Sequence, residues 1–246
     1  MGRTYAVTDL HGMWDLWEQI KNYCQPDDTI YFLGDAADRG PDGVKVMQDL
    51  LADKRVFYLK GNHEDMMVCT IKEILNGYLE NVPLWVTNGG KSTMTTLLEM
   101  NVEELQNLLN KIKSLPDYVK IVNTKGQNIF LSHAGTAFDY DNAELFLIHG
   151  NRYLWDRRHF NRPWPKEGYE NWFIVHGHTP WIHLIQSLNE VNQFYNRPLI
   201  SDEKIEIVEY CDGHKFGLDL GSFITNKVAL FDLDELKVEK YFETKE

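Results

Sequence analysis

The sequence has few cysteines, no long apolar run and a shortage of positive charge. Its three cysteines, Cys24, Cys69 and Cys211, form no C-x-x-C pair, so neither a disulfide framework nor a thiolate zinc site is expected. No apolar stretch approaches the roughly 20 residues that cross a bilayer. The amino terminus also lacks the apolar core of a signal peptide. These absences exclude a membrane partner and favour a cytoplasmic protein without disulfides.

The shortage of positive charge limits the kinds of partner. The chain has 25 Lys and Arg against 37 Asp and Glu, a formal net charge of −12 with histidine neutral. Nucleic acids are bound through clustered basic side chains, so a nucleic-acid partner is not expected. Hydrophobic residues make up 43% of the 246 residues, a composition typical of a soluble globular protein with a packed core.

The apolar pattern predicts a single domain over residues 1–246 with α/β architecture. Helical segments at Met13–Tyr23 and Gly43–Asp53 separate the first three β-type runs, so the chain begins βαβαβ. A mainly helical insertion is predicted around residues 64–115, with helices over 64–78 and 93–111. Late strands joined by tight turns are expected to pair antiparallel. The β-type runs are Thr4–Thr8, Thr29–Leu33, Val56–Leu59, Asn128–Leu131, Trp172–Val175, Lys204–Tyr210, Lys215–Leu220, Val228–Asp232 and Leu236–Phe242.

Polar motifs follow five of these runs at the points where the predicted strands end. In an open α/β sheet the loops at the carboxyl ends of the strands converge on one rim, where ligands bind. Histidine and carboxylate ligands without a thiolate suit Mn, Fe or Zn in an open site. The candidate ligands outnumber those that one ion takes, so two metals are expected. The motifs are Asp9-Leu10-His11-Gly12, Gly34-Asp35-Ala36-Ala37-Asp38-Arg39-Gly40, Gly61-Asn62-His63-Glu64, His133-Ala134-Gly135 and His176-Gly177-His178-Thr179.

In order and approximate spacing these motifs resemble the phosphoprotein phosphatase branch of the calcineurin-like metallophosphatases. The resemblance covers about the first three quarters of the chain. The fold it implies is a pair of mixed β-sheets packed as a sandwich and flanked by helices. One departure is Thr8, where the commoner family form has glycine. Pro180 stands where other relatives have a further histidine, which fits the phosphoprotein phosphatase branch and leaves the first metal more open to water.

The resemblance also implies the chemistry of the site. Two divalent ions, expected to be Mn²⁺ with Fe or Zn as alternatives, would share a water that loses a proton near neutral pH and attacks phosphorus. His63 would protonate the leaving group while Asp38 orients its ring. The planar guanidinium of Arg39 would bind the phosphate. The implied ligands are Asp9, His11 and Asp35 for the first metal, and Asp35, Asn62, His133 and His178 for the second.

Further contacts with the substrate are expected from the middle of the chain. Family members have a second phosphate-binding arginine after a tryptophan; Arg157 fits that position best, and Arg152 and Arg158 remain alternatives. Asn62 is a further candidate for phosphate binding. In bacterial relatives a stretch similar to Asn88-Gly89-Gly90 lies near the rim of the active site, which makes Asn88 a candidate substrate contact.

The segment that follows Asn88 also imitates a nucleotide-binding motif. Gly90-Lys91-Ser92 matches the end of a Walker A loop, but Trp85 stands where the motif needs glycine. We therefore predict a turn and a helix start there, with Ser92 or Thr93 as the capping residue. His176 is expected to have a structural use. Four tryptophans are candidates to line a substrate groove, with core packing expected for most of them: Trp155, Trp164, Trp172 and Trp181.

Three functions compete on this evidence. The resemblance favours hydrolysis of phosphoserine and phosphothreonine in proteins or peptides, and a small phosphorylated molecule also fits. A dinucleoside polyphosphate hydrolase of the Ap4A type shares all five motifs and is the alternative. A non-catalytic scaffold is the third, although no ligand position is lost here. Two divalent ions against Asp9 and Asp35 leave a cationic focus on an acidic protein, so phosphate groups presented singly are expected to bind best.

Overall fold

The fold is a sandwich of two mixed β-sheets with helices on its outer faces. The computed structural model describes residues 2–136, 138–139, 144–145, 152–161, 164 and 168–244. The strands are β1 (Thr4–Val7), β2 (Thr29–Phe32), β3 (Val56–Tyr58), β4 (Tyr118–Val122), β5 (Asn128–Ser132), β6 (Phe138–Asp139), β7 (Glu144–Leu145), β8 (Trp172–His176), β9 (Val208–Tyr210), β10 (Lys215–Gly217), β11 (Lys227–Asp232) and β12 (Lys237–Glu243). The helices are α1 (Trp14–Tyr23), α2 (Gly43–Ala52), α3 (Asn62–Leu75), α4 (Val82–Thr87), α5 (Lys91–Glu99), α6 (Val102–Lys113), α7 (Arg152–Trp155), α8 (Trp181–Phe194) and α9 (Ser222–Thr225), with a 3-10 turn at Arg158–Asn161.

The first sheet has the strand order β12-β11-β1-β2-β3. Strands β1, β2 and β3 are parallel and are connected by α1 and α2, as the βαβαβ pattern predicts. Strands β11 and β12 add to the other side of β1 in antiparallel pairs. Chain connections of this kind bring the ends of β1, β2 and β3 to the same edge of the sheet.

The second sheet has the order β4-β5-β8-β10-β9. Its three inner strands, β5, β8 and β10, are parallel, and β4 and β9 pair antiparallel at the edges. Strands β6 and β7 pair as a separate hairpin. The α/β class with two mixed sheets is therefore confirmed, and helices α3 to α6 occupy the region of the predicted helical insertion.

Apolar side chains fill the space between the layers. Burial of each large side chain contributes about 1.5–3 kcal/mol to folding, so the sandwich is stabilised mainly by these contacts. The first sheet packs on its other face against α1, α2, α3, α5 and α6, and α8 covers part of the second sheet through Leu184, Ile185 and Leu188. The cluster between the two sheets is Ala6, Leu33, Leu59, Ile129, Leu131, Val175, Phe216, Leu218, Phe231 and Leu233.

The local structure differs from the sequence-based prediction at several elements. Helix α8 is not among the predicted elements; it begins directly after Pro180, which takes its N-cap position. The helix predicted over residues 93–111 is two helices, since the Asn101 side chain accepts a hydrogen bond from the Glu104 amide and starts α6 anew. The strand predicted at Lys204–Tyr210 shortens to β9.

The predicted cap of α5 is also wrong. Gly90 takes the N-cap position without a side-chain bond. The Ser92 hydroxyl donates to the Gly40 carbonyl at 2.9 Å, and the Thr93 hydroxyl accepts from the Asp38 amide at 2.9 Å. Both hydroxyls thus hold the loop after β2 rather than their own helix.

No described helix is long and apolar enough to cross a bilayer. The three cysteines, Cys24, Cys69 and Cys211, are free thiols.

Candidate metal centre

The loops after β1 and β2 place the first polar side chains of the site. The amides of Asp9, His11 and Gly12 donate to carbonyls of residues 34, 35 and 36 at 3.0, 2.9 and 2.8 Å, so the two loops run side by side. Asp9, His11 and Asp35 have positive φ angles of 52°, 45° and 61°. Such conformations cost about 1–3 kcal/mol each in a non-glycine residue and concentrate at functional sites. The paired loops hold these strained residues in place.

A buried carboxylate fixes the loop that follows β2. Glu64, at the start of α3, accepts hydrogen bonds from the amides of Asp35, Ala36 and Gly61, each at 2.8 Å. The Asp35 Oδ1 atom in turn accepts from the His63 amide at 3.0 Å. Glu64 belongs to a recognised motif, but the sequence did not indicate that it supports the Asp35 loop. Its contacts leave Asp35 Oδ2 pointing at the histidines around it.

Asp35 Oδ2 is shared by two groups of possible metal ligands. The first group is His11, Asp35 and His63, the second is Asp35, His133 and His178, and the ligand atoms in each lie within 4.8 Å of one another. The distances from Asp35 Oδ2 to the Nε2 atoms of His133 and His11 are 3.4 and 3.7 Å. The two groups therefore adjoin at the residue that the resemblance assigns to both metals.

The remaining predicted ligands border these groups. Asp9 Oδ1 lies 3.8 Å from His11 Nε2, and Asn62 Oδ1 lies 2.8 Å from His133 Nε2 and 2.9 Å from His178 Nδ1. All six predicted ligand side chains come together in one buried cluster, although His63, predicted to be an acid, also lies within ligand distance.

In two of the histidines, the ring nitrogen that faces away from the site makes a hydrogen bond that fits metal binding. His11 Nδ1 lies 3.0 Å from the Ala37 carbonyl, and His133 Nδ1 lies 2.8 Å from the Leu33 carbonyl. Each ring is thereby oriented with Nε2 toward the site, which is the usual arrangement behind a metal-binding histidine. Asp9 Oδ1 is buried and has no hydrogen-bond partner within the described part of the chain. A divalent cation would satisfy that oxygen, so these residues fit one.

The charges of the ligands depend strongly on one another. Burial raises the pKa of Asp9 well above its usual range, and Asp219 raises it further. Burial opposes protonation of His133, but the carboxylates of Asp35, Asp9 and Glu64 together outweigh it and raise the pKa of His133 to about 9. A metal must then displace a proton from His133, because only the neutral imidazole is a ligand.

The predicted proton donor sits between two acidic residues. His63 Nδ1 lies 2.7 Å from Asp38 Oδ2, and its Nε2 lies 3.8 Å from Asp35 Oδ2. The Trp85 indole N–H donates to the same Asp38 Oδ2 atom at 2.8 Å. Trp85 entered the sequence analysis only as the residue that breaks a Walker A pattern. No sequence signal connects it with Asp38, because 47 residues separate the two.

Residues 2–217 match the family model described as calcineurin-like phosphoesterase. The chain belongs to this family. It is 25% identical over 197 residues to a bis(5'-nucleosyl)-tetraphosphatase, PrpE [asymmetrical], of Oceanobacillus iheyensis, covering 71% of this chain and 76% of that relative. It is 27% identical over 200 residues to the protein of the same name from Bacillus velezensis, with coverages of 71% and 76%.

Solved structures show the same fold. A protein serine/threonine phosphatase from Saccharomyces cerevisiae, with similarity to human phosphatase PP5, superimposes with a TM-score of 0.56 at 14% identity. The match covers 100% of this chain and 81% of that one. At this identity the likeness concerns the fold alone.

Arg39 of this phosphoesterase reaches into the site from the loop after β2. Its Nη1 lies 2.8 Å from His11 Nε2, its Nη2 lies 3.2 Å from His63 Nε2, and its guanidinium carbon lies 4.6 Å from the centre of the Phe223 ring. The Arg39 amide donates to the Gly89 carbonyl at 2.9 Å. The guanidinium therefore stands at the open side of the candidate ligands.

For the second phosphate-binding arginine, the structure describes the side chain of only one of the three candidates. Arg157 lines the same cavity as Arg39 and His178, whereas the side chains of Arg152 and Arg158 lie outside the described residues. Among the predicted tryptophans, Trp155 is exposed and its ring lies 6.1 Å from that of His178. Trp164 instead stacks on His214 at 4.8 Å, and Trp172 packs in an apolar cluster.

One departure from the family motifs, Thr8, and one motif glycine, Gly177, have local explanations. The Thr8 hydroxyl donates to Asp9 Oδ2 at 2.5 Å, so the side chain that replaces glycine orients a candidate ligand. A Cβ atom at Gly177 would lie 2.0 Å from Asp9 Oδ2, which explains why that position needs glycine. His176 Nε2 lies 2.8 Å from the Tyr210 hydroxyl, and its Nδ1 lies 3.0 Å from the Gly177 carbonyl. These bonds agree with the structural use expected for His176.

Asp219 is a buried carboxylate that the sequence analysis did not place at the site. Its Oδ1 accepts from the Gly221 amide at 2.7 Å, while its buried Oδ2 has no hydrogen-bond partner among the described residues. Burial raises the pKa of Asp219 to about 6, although Arg39 opposes the rise. The only sequence signal was Gly217-Leu218-Asp219-Leu220-Gly221, noted because it replaces the carboxy-terminal motif of eukaryotic enzymes.

We expect Asp219→Asn to weaken Mn²⁺ binding by about tenfold, because second contacts of metal sites typically contribute 10- to 100-fold to affinity. Asparagine keeps the bond to Gly221 but removes the negative charge beside Asp9. Calorimetric titration of the metal-free protein measures the change. Asp117→Asn is the control, since Asp117 pairs with Lys60 at 2.9 Å instead. Equal Mn²⁺ affinities in the wild type and Asp219→Asn would contradict the prediction.

Proposed function

We propose that this phosphoesterase hydrolyses a dinucleoside polyphosphate at a two-metal centre. The observation that carries the reaction is the pair of ligand groups that share Asp35. The relatives named bis(5'-nucleosyl)-tetraphosphatase support the substrate. The sequence analysis favoured phosphoserine and phosphothreonine instead, with the dinucleotide as the alternative. The relatives favour that alternative, because the likeness to a serine/threonine phosphatase extends to the fold only.

The proposed reaction divides between the metals and the side chains. Two bound divalent ions would supply an activated water and neutralise charge on the phosphoryl oxygens. We assign Asp9, His11 and Asp35 to one ion, and Asp35, Asn62, His133 and His178 to the other. Mn²⁺ suits this mixture of imidazole, carboxylate and amide oxygen, as do Fe and Zn.

The chain's own residues would bind the substrate and move the proton. Arg39 and Arg157 line one cavity, and their guanidinium groups suit two phosphoryl oxygens each. Asn62, whose Oδ1 lies 2.9 Å from the cavity residue His178, is assigned a further contact with the phosphate. The His63 Nδ1–H group donates to Asp38, which leaves Nε2 to hand a proton to the departing phosphate oxygen. Trp85 holds Asp38 in place for that bond.

The candidate ligands also weigh against a non-catalytic scaffold. Scaffolds have no need to keep buried, mutually repelling charges, which are costly to fold. All the predicted ligands are present and lie in one cluster, and Asp9 and Asp35 both remain buried. A catalytic use explains why that cost is kept.

A side-by-side turnover measurement tests the proposal. The full chain with Mn²⁺ is assayed on diadenosine tetraphosphate, on a panel of phosphoserine and phosphothreonine peptides, and on p-nitrophenyl phosphate. We expect kcat/KM for the dinucleotide to exceed that for every peptide by at least about tenfold. A phosphopeptide hydrolysed faster than the dinucleotide would restore the first expectation, and no Mn²⁺-dependent turnover of any substrate would favour the scaffold.

A further inference from the structure

A cavity of about 570 Å³ opens beside the candidate ligands. Its volume lies within the range of about 300–1,000 Å³ that is typical of small-molecule sites. Arg39, Arg157 and His178 line one end, and Pro180, Trp181, Leu220, Phe223 and Ile224 line the rest together with the loop at residues 87–89. The cavity thus joins a cationic end, at the metal centre, to an apolar wall.

Helix α9 contributes Phe223 and Ile224 to the apolar wall of the cavity, and the same helix is hydrogen-bonded to the metal centre. The buried Ser222 hydroxyl donates to the carbonyl of Asp9, which fixes one side of the helix against a candidate ligand. Gly221 and Asn226, at the two ends of the helix, have φ angles of 66° and 53°, so the chain turns sharply there. The helix consequently presents its next two residues, Phe223 and Ile224, to the cavity.

Phe223 and Ile224 are apolar residues with exposed side chains. The exposed fractions are 36% for Phe223 and 72% for Ile224. The Arg39 guanidinium lies over the Phe223 ring at 4.6 Å, and the His11 ring meets it edge-on at 5.7 Å. Phe223 therefore stands at the boundary between the cationic end and the apolar wall.

The opposite wall is tied to the phosphate-binding arginine. The Gly89 carbonyl accepts from the Arg39 amide at 2.9 Å. Gly89 has a φ of +98°, and a Cβ atom there would lie 2.7 Å from Arg39 Cγ, so the loop approaches this arginine as only glycine permits. The loop thus holds Thr87 and Asn88 across the cavity from α9.

We infer that this cavity binds a nucleobase of the substrate against Phe223 and Ile224, with the attached phosphate reaching Arg39 and Arg157. The inference rests on the proposed function. A ligand that fills both ends needs an anionic group joined to a flat apolar one, and a nucleotide has that form. Bases stack on aromatic side chains with little dependence on their identity, so the site selects nucleotides over bare phosphate rather than one base over another.

Direct binding of two small ligands tests the site without relying on turnover. Dissociation constants of AMP and of inorganic phosphate are measured by calorimetry on the Mn²⁺-loaded full chain. We expect AMP to bind about tenfold or more tightly than phosphate, because stacking on an aromatic wall is worth about that factor. Ile224→Asn should remove most of this advantage while phosphate affinity stays as in the wild type.

Two further variants make the outcome interpretable. Val102→Asn is the matched control, because Val102 is 74% exposed, lies on α6 and is not among the residues that line the cavity. Phe223→Leu keeps an apolar contact beside Arg39 but removes the ring, and should also reduce the AMP advantage. Thermal melts verify that each variant is folded.

The experiments can refute the nucleobase site and the proposed function independently of each other. An AMP affinity no better than that of phosphate, or an advantage that survives in both Ile224→Asn and Phe223→Leu, would overturn the nucleobase site even if diadenosine tetraphosphate is hydrolysed. An AMP advantage that both variants abolish, in a protein that does not cleave the dinucleotide, would uphold the site and refute the proposed substrate.

Discussion

Asp35→Asn is expected to remove bound metal and activity together, with kcat/KM falling by at least about a thousandfold. Asp35 belongs to both groups of candidate ligands, and its Oδ2 lies 3.4 Å from His133 Nε2 and 3.7 Å from His11 Nε2. Asparagine has a neutral amide in place of the negatively charged carboxylate that both ions would share. Metal content by elemental analysis, measured beside turnover, checks both parts of the expectation.

The control for Asp35→Asn is a buried aspartate away from the centre. Asp232 is also buried, and its Oδ1 accepts from the amides of Asp234 and Glu235 at 2.8 and 2.9 Å in the turn after β11. Asp232→Asn should therefore cost some stability and leave the metal content unchanged. If Asp35→Asn kept two ions per chain, the shared-carboxylate assignment would be wrong.

His63→Asn is expected to keep the metals and to lower kcat by about 10²–10⁴-fold, the usual contribution of a positioned acid. The loss should be smaller for p-nitrophenyl phosphate than for a phosphoserine peptide, because p-nitrophenolate departs without a proton whereas a strongly basic alkoxide does not. Metal analysis is decisive here, since His63 also lies among His11 and Asp35 within ligand distance. A variant that lost its metal would show His63 to be a ligand rather than the acid.

The contacts behind His63 provide a graded series. Trp85→Phe removes one of the two hydrogen bonds that Asp38 Oδ2 accepts and leaves the His63 bond in place. We expect a smaller loss of kcat than in His63→Asn, with the same dependence on the leaving group. An unchanged ratio between activated and unactivated substrates would place Trp85 outside proton transfer.

Most of the strands and the chemistry of the site could be predicted, because both depend on residues that are close together in the sequence. Apolar runs ended by Asp9, Asp35 and His133 indicate buried strands with polar ends, and parallel strands bring such ends to one edge. The family motifs then identified each candidate ligand. Helix α8 is missed, although Leu184, Ile185 and Leu188 recur along it at helical spacing.

The residues that the sequence did not reveal act through contacts between distant segments. Trp85 meets Asp38 across 47 positions, and the Ser222 hydroxyl meets the Asp9 carbonyl across 213. Asp219 and Phe223 lie beyond the last family motif, where no spacing connects them with Asp9 or Arg39. Each of these contacts depends on how α4 and α9 pack, which no local pattern records.

From the sequence alone follow the α/β class and the candidate ligands. These conclusions depend on residue types and on short-range periodicity, both of which can be read without knowing how the chain packs. Only the tertiary structure decides that Asp219 adds a buried charge near Asp9, and that α9 presents an apolar wall beside the phosphate-binding arginines. The physical reason is that desolvation and cavity shape arise from side chains far apart in the chain, once folding has brought them together.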